Sequence, residues 1–155
     1  MNKGEALRQI YRYSEALECY DELARFNDTL ALSEKGVCLA YLKRYDEAMQ
    51  CFNETVARTK ALKNDNSYIR AEINMGIAFL LQKDPDSALA CFDEAISYGK
   101  GYDKIWTAWF CKGVALESLD RKEVASGAFH EAASLRIREF RERSKLQAAQ
   151  EQIKG

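Results

Sequence analysis

Acid–base and nucleophilic chemistry at neutral pH draws mainly on histidine, cysteine and paired carboxylates, and this 155-residue chain has one histidine, five cysteines and 24 acidic residues. The histidine, His130, directly follows Phe129. If Phe129 packs inward on a helix, the next side chain is turned about 100° away, toward solvent. No serine stands in a nucleophile elbow and no glycine-rich phosphate loop follows a strand-like run. The carboxylates are scattered among apolar residues at helical spacing, the pattern of solvated helix faces. A non-enzymatic chain without catalytic residues or cofactor is expected.

Three of the cysteines, Cys19, Cys51 and Cys91, each immediately precede an aromatic residue, Tyr20, Phe52 and Phe92. Sulfurs that share a zinc ion lie within about 4 Å of one another, whereas equivalent helices in stacked units are about 10 Å apart. These cysteines, with Cys38 and Cys111, therefore read as small apolar residues at helix packing margins, with no metal site. Their odd number and unclustered spacing suit reduced thiols in a cytoplasmic setting. One basic stretch stands out: Arg136, Arg138, Arg141, Arg143 and Lys145. Glu139 and Glu142 interrupt it, no aromatic alternation offers base stacking, and the net charge is only -1, all of which argues against a nucleic-acid partner.

The elements that position these residues should be helices. Eight glycines and a single proline leave little material for the tight turns of an all-β fold, and 47% hydrophobic residues are enough for a core. Uninterrupted apolar runs such as 77–81 fall far short of the roughly 18 residues that span a bilayer. The first residues also lack a secretory signal's apolar segment, so no membrane association is expected.

Four glycines, Gly4, Gly36, Gly76 and Gly113, open one recurring pattern. Twelve residues after each stands an alanine (Ala16, Ala48, Ala88, Ala125), and sixteen after each an aromatic ring (Tyr20, Phe52, Phe92, Phe129). Three residues after each is a large apolar side chain: Leu7, Leu39, Phe79 and Leu116. A glycine inside a helix costs roughly 1 kcal/mol against alanine, so four in one phase imply a compensating close approach of helices. The expected contact is with the alanine of the second helix, the aromatic ring filling the next layer.

At these residues the sequence resembles the tetratricopeptide repeat family, whose pattern is Trp, Leu and Gly, then Tyr, Ala, Phe and a closing Pro. The chain departs from it in places. Only Trp109 fills the tryptophan position, the closing proline is absent, and the glycine spacings are 32, 40 and 37 residues. The resemblance implies an all-α solenoid of four helix hairpins over 1–137, with repeats near 1–28, 29–66, 67–102 and 103–137. Residues 138–155 are expected as a helical extension or a capping helix. First helices are expected near 2–10, 29–42, 67–82 and 103–119, and second helices near 14–25, 46–62, 85–98 and from 121 onward. The extra residues of the second and third repeats should lengthen helix ends or connections around 61–67 and 98–103. Asp84 before Pro85 has the chemistry of a helix start, and Asp120 with Glu123 the spacing of a capping box. The short first helix lacks the turn for a tryptophan position, as a segment of a longer repeat array would. No Gly, Pro, Asn or Asp interrupts residues 128–154, which favours one continuous last helix over a turn near Arg138. Phe140, Leu146, Ala149 and Ile153 give its end a weak apolar stripe.

The family resemblance further implies that the first helices line a concave groove holding a peptide or helix of a partner. With the glycines facing the second helices, residues three before, one after, and four or five after them should face that groove. These are Ser33, Val37, Ala40 and Tyr41, then Ile73, Ile77, Leu80 and Leu81, then Phe110, Val114, Glu117 and Ser118. Leu30, Arg70 and Thr107 form its upper margin. The clamp by which some members grip a carboxylate-terminated chaperone tail would fall on Ser33, Val37, Asn74, Thr107 and Cys111, of which Asn74 alone matches. The apolar stripe of Val37, Ile73, Ile77, Leu81, Phe110 and Val114 instead fits an apolar or amphipathic helix of another protein. Self-association through the groove or the last helix is the alternative, and packing between neighbouring repeats competes for Leu80 and Leu81.

Overall fold

Helical periodicity with few breakers yields helices throughout the described residues. A computed structural model of the chain describes residues 3–26, 28–62, 65–99, 102 and 104–154. The helices are α1 (Lys3–Gln9), α2 (Tyr13–Ala24), α3 (Thr29–Tyr41), α4 (Tyr45–Ala61), α5 (Asp65–Leu81), α6 (Pro85–Tyr98), α7 (Ile105–Ser118) and α8 (Lys122–Lys154). Asn2 and Asp103, expected as helix starts, lie outside the described residues, as do the side chains of Leu146, Ala149 and Ile153. The extra residues of the second repeat are spent on longer helices, 17 residues each for α4 and α5. Among the described residues there is no strand, and no helix is long and apolar enough to cross a membrane.

One turn design joins the helices of every pair. Seven residues after each repeat glycine the backbone enters the left-handed region, at Tyr11 (φ 61), Lys43 (φ 61), Lys83 (φ 62) and Asp120 (φ 55). The next N–H, of Arg12, Arg44, Asp84 or Arg121, donates to the carbonyl of Leu7, Leu39, Phe79 or Leu116 at 2.9 Å, closing the helix end. The second helix then starts at once. Asp84 accepts a hydrogen bond from the Ser87 N–H at 3.1 Å with Pro85 in the first turn. Asp120 does not form the expected capping box with Glu123, because its left-handed backbone ends α7 rather than starting α8.

Each glycine makes room for an aromatic ring. A Cβ added at Gly4 would lie 2.9 Å from Tyr20, at Gly36 2.7 Å from Phe52, and at Gly76 and Gly113 2.5 Å from Phe92 and Phe129. The nearest atoms belong in every case to the ring sixteen residues on, not to the alanine the sequence suggested. Phe52 and Phe92 are fully buried. Burying such a side chain contributes roughly 1.5 to 3 kcal/mol, which offsets the cost of about 1 kcal/mol for glycine in the helix.

Pairs stack because the first helices α5 and α7 lie against both helices of the pair before them, α5 on α3 and α4, α7 on α5 and α6. A column the sequence reading missed sets this contact. Ala31, Ala71 and Ala108 stand five residues before the glycine, and Cys38, Ala78 and Ala115 two after it, all at most 2% exposed. Ala78 joins the core of the first two pairs, while Ala108 and Ala115 pack on residues of the third. Stability is therefore shared among neighbouring interfaces. The last helix, α8, runs 33 residues without a turn near Arg138, about 50 Å, and packs along α7.

Candidate peptide-binding groove and terminal cleft

Helical phase sorts the expected groove residues into two groups. Leu30, Tyr41, Leu81 and Phe110 are 44%, 42%, 37% and 51% exposed. Arg70, Asn74, Ile77 and Val114 are half-buried, and Ser33, Val37 and Ile73 are buried. The buried residues are floor and inter-repeat contacts, not open lining. Ser33 is covered by α5, whose Asn74 Nδ2 donates to Ser33 Oγ at 3.1 Å. Ile73 is covered by α7, in a cluster with Ile105 and Ala108. Val37 belongs to the core of the first two pairs. Ser33, Ile73 and Phe110 occupy one column, and only Phe110, the last of them, has no first helix over it among the described residues. Its ring leans on Phe129 instead, at a centroid distance of 5.5 Å.

The open face runs one residue out of phase with that column. It follows Leu30, Glu34 and Tyr41 on α3, with the buried Val37 as floor between them, then Arg70, Asn74, Ile77 and Leu81 on α5, then Thr107, Cys111, Val114 and Ser118 on α7. Glu34, which the sequence offers only as an acid misplaced for a carboxylate clamp shifted back by one repeat, belongs to this face, since the i, i+4, i+7, i+11 stripe from Leu30 to Tyr41 passes through it. Its side chain is 13% exposed and lies between two cations of neighbouring repeats, Arg8 at 3.2 Å and Arg70 at 4.0 Å. One end of the face is thus polar, opening into a small cleft of about 90 Å³ lined by Leu30, Glu34 and Arg70. The other end is apolar: Tyr41 stacks on Tyr13 at 4.4 Å, and Leu81 lies beside Tyr45, whose hydroxyl donates to the Leu81 carbonyl at 3.1 Å.

This arrangement holds donors, acceptors and apolar side chains. Burial pushes the Cys38 and Cys91 thiols up to about 12 and the Cys111 thiol up to about 11, so they stay protonated and weakly nucleophilic at neutral pH. His130 is exposed. Among the described residues no group of three His, Cys, Asp or Glu converges to hold a metal ion. A second, larger apolar concavity of about 700 Å³ lies between α7 and α8 beside Phe110. Of its lining, the groove phase on the first helices points to Phe110 alone, since Trp106 stands on α7 at another phase and the remaining residues lie on α8.

Repeat geometry and sequence pattern agree with comparisons to known proteins. Two family models described as tetratricopeptide repeat match residues 28–99 and 73–140. No protein of curated function matches the chain. One similar solved structure is the crystal structure of MamA, with 16% sequence identity and a TM-score of 0.41, covering 91% of this chain and 98% of that one. By its overlapping repeat matches and its four glycine–aromatic helix pairs, the chain belongs to the tetratricopeptide repeat family.

Proposed function

We propose that the chain is a non-enzymatic interaction module whose first-helix face holds an apolar or amphipathic segment of a partner protein. Tetratricopeptide repeats mediate protein–protein interaction and scaffolding. The observation that carries the finer reading is the exposure of Leu30, Tyr41 and Leu81 on a face whose polar members, Glu34, Arg70 and Asn74, are partly buried and fixed in place. Apolar anchors flanked by oriented polar groups suit a helix or peptide with apolar residues at helical spacing. A cytoplasmic, reducing setting suits the free thiols.

The test is a double substitution at exposed positions, Leu30→Asp with Leu81→Asp. Circular dichroism and melting temperature should be nearly unchanged, while partners captured from a native lysate by the unaltered chain should be lost. Capture of the same partners by the double variant would remove this face as the site. Sedimentation over a concentration series separates the reading from self-association, which requires a rise in mass.

A further inference from the structure

The space between a first and a second helix is filled, inside the stack, by the next first helix. Between α5 and α6 its walls include Ile69, Ile73, Ala95 and Gly99, and the filling helix, α7, brings Ile105 and Ala108. Moving these wall positions on by the 37 residues that separate Gly76 from Gly113 gives Trp106, Phe110, Ala132 and Arg136. All four line the open cleft of about 700 Å³ between α7 and α8. Because α8 continues past the point where α6 ends, Ile137 and Phe140 extend that wall, 53% and 72% exposed.

We propose that this terminal cleft is a docking site for a helix of a partner protein that takes the place of a further first helix. Its occupied counterparts define the chemistry required. The helices that fill them bring small residues seven positions apart, Ala71 with Ala78 and Ala108 with Ala115, each at most 1% exposed. Small side chains there let the incoming backbone approach the walls. Three residues before Ala108, Ile105 rests on Gly99. In the terminal cleft that glycine is replaced by Arg136, whose guanidinium lies over the Trp106 ring at 4.7 Å. Among the described residues neither Arg136 nor Arg141, which also lines the cleft, is ion-paired. The partner helix therefore carries a carboxylate three residues before its first small residue, where α7 carries Ile105, and an acidic flank toward Arg141.

Charge and burial disfavour a second copy of this chain. The α8 stretch 136–145 has five basic residues against two acidic ones, so two copies of it repel. The seven-residue α1 has one large apolar side chain, Leu7, and it is already 8% exposed within its own core. This docking is independent of the groove on the first-helix face.

A fluorescein-labelled helical peptide of about 20 residues tests the assignment. It carries alanines at i and i+7, leucines at i+3 and i+4, and glutamate at i−3, and a sister peptide has lysine at i−3. Anisotropy with the full chain should show saturable binding of the glutamate peptide. Ile137→Asp with Phe140→Asp, both exposed, should weaken it at least tenfold without changing the melting temperature, whereas Leu30→Asp with Leu81→Asp should not. Arg136→Glu should exchange the preference from the glutamate peptide to the lysine peptide, a rescue that mere loss of fold does not produce. The assignment is overturned by absence of saturable binding, by binding indifferent to Ile137 and Phe140, or by binding abolished only through the groove variant. It is equally overturned if sedimentation shows a dimer that Ile137→Asp with Phe140→Asp dissociates, since the cleft then belongs to a second copy.

Discussion

Ile73 and Phe110 hold the same place in successive repeats, three residues before the glycine, yet Ile73 is 6% exposed and Phe110 51%. The local helices around them match: each precedes a glycine that seats an aromatic ring, and each belongs to a pair closed by the same left-handed turn. What differs is the neighbour, since α7 covers Ile73 and no first helix covers Phe110 among the described residues. In a solenoid a column has no fixed burial of its own, because half of each repeat's core is supplied by the next one. The third and fourth repeats are therefore an internal experiment on what a neighbour contributes.

The sharpest way to break that comparison is to truncate both side chains. Ile73→Ala leaves a cavity between α5 and α7 and should cost about 2 to 4 kcal/mol in urea unfolding at pH 7. Phe110→Ala removes mostly exposed surface and one tilted ring contact with Phe129, so it should cost about 1 kcal/mol. Equal losses would mean that Phe110 is as buried as Ile73 in solution, by self-association or by movement of α8.

Because exposure depends on neighbours, the fold was more legible than the site. Residues that repeat within one chain, such as Gly76 with Phe92 and Gly113 with Phe129, announce helix pairs from spacing alone, and the helix bounds followed to within two residues. Which face stays open does not follow from the same columns. Ser33 and Ile73 share a phase with the exposed Phe110 and are lost to inter-repeat packing, a contact set by the alanines at 31, 71 and 108. Glu34 reads from sequence only as an acid misplaced for a carboxylate clamp, because its charge has another meaning only once Arg8 and Arg70 arrive from neighbouring repeats. The Ile137 and Phe140 wall was obscured by the polar residues around it on α8.

A somewhat smaller effect is expected from overfilling the glycine sites. Gly76→Leu drives a side chain against Phe92, which is fully buried, and should destabilise the chain by roughly 1 to 3 kcal/mol although leucine is the better helix former. Gly113→Leu meets Phe129, which borders the open cleft and can turn into it, so its cost should fall below that of Gly76→Leu. The difference in urea midpoints measures the freedom of the Phe129 ring, and a larger loss at Gly113 would show that the cleft is closed.

The tryptophan column gives a difference that pH exposes. Trp109 fills it in the fourth repeat, whereas the third has Glu72, 6% exposed beside Tyr68 and Cys91. Burial pushes the Glu72 carboxyl above its ordinary 4.5, and the nearby Glu94 carboxylate, which accepts a hydrogen bond from the Tyr68 hydroxyl at 2.7 Å, adds to the rise, while the neighbouring Tyr68 hydroxyl and Lys60 pull it partly back. The folded chain thus prefers the protonated acid, and its penalty is absent below the ordinary value. As pH rises from there through the folded value, the unfolded chain ionises first and stability falls to a lower plateau. Glu72→Gln should therefore raise the melting temperature at pH 7 and have little effect at pH 4. A gain of the same size at both pH values would show that packing, not ionisation, separates the two side chains.

The smallest expected effect concerns the turns. Lys83 and Asp120 are left-handed, with φ of 62 and 55, a conformation that costs an ordinary L residue roughly 1 to 2 kcal/mol and glycine almost nothing. Glycine also loses more chain entropy on folding, so Lys83→Gly should gain a net stability of about 0.5 to 1 kcal/mol. Aspartate tolerates this region better than lysine does, through local hydrogen bonds to the backbone. Asp120→Gly also gives up the Lys122 pair at 3.0 Å, which contributes little because both groups are exposed. Its gain should therefore be only a few tenths of a kcal/mol, about 1 °C in melting temperature against about 2 to 3 °C for Lys83→Gly. If Asp120→Gly gained as much, the turn before α8 would be as strained as the turn before α6, and the fourth repeat would differ from the third only in its missing neighbour.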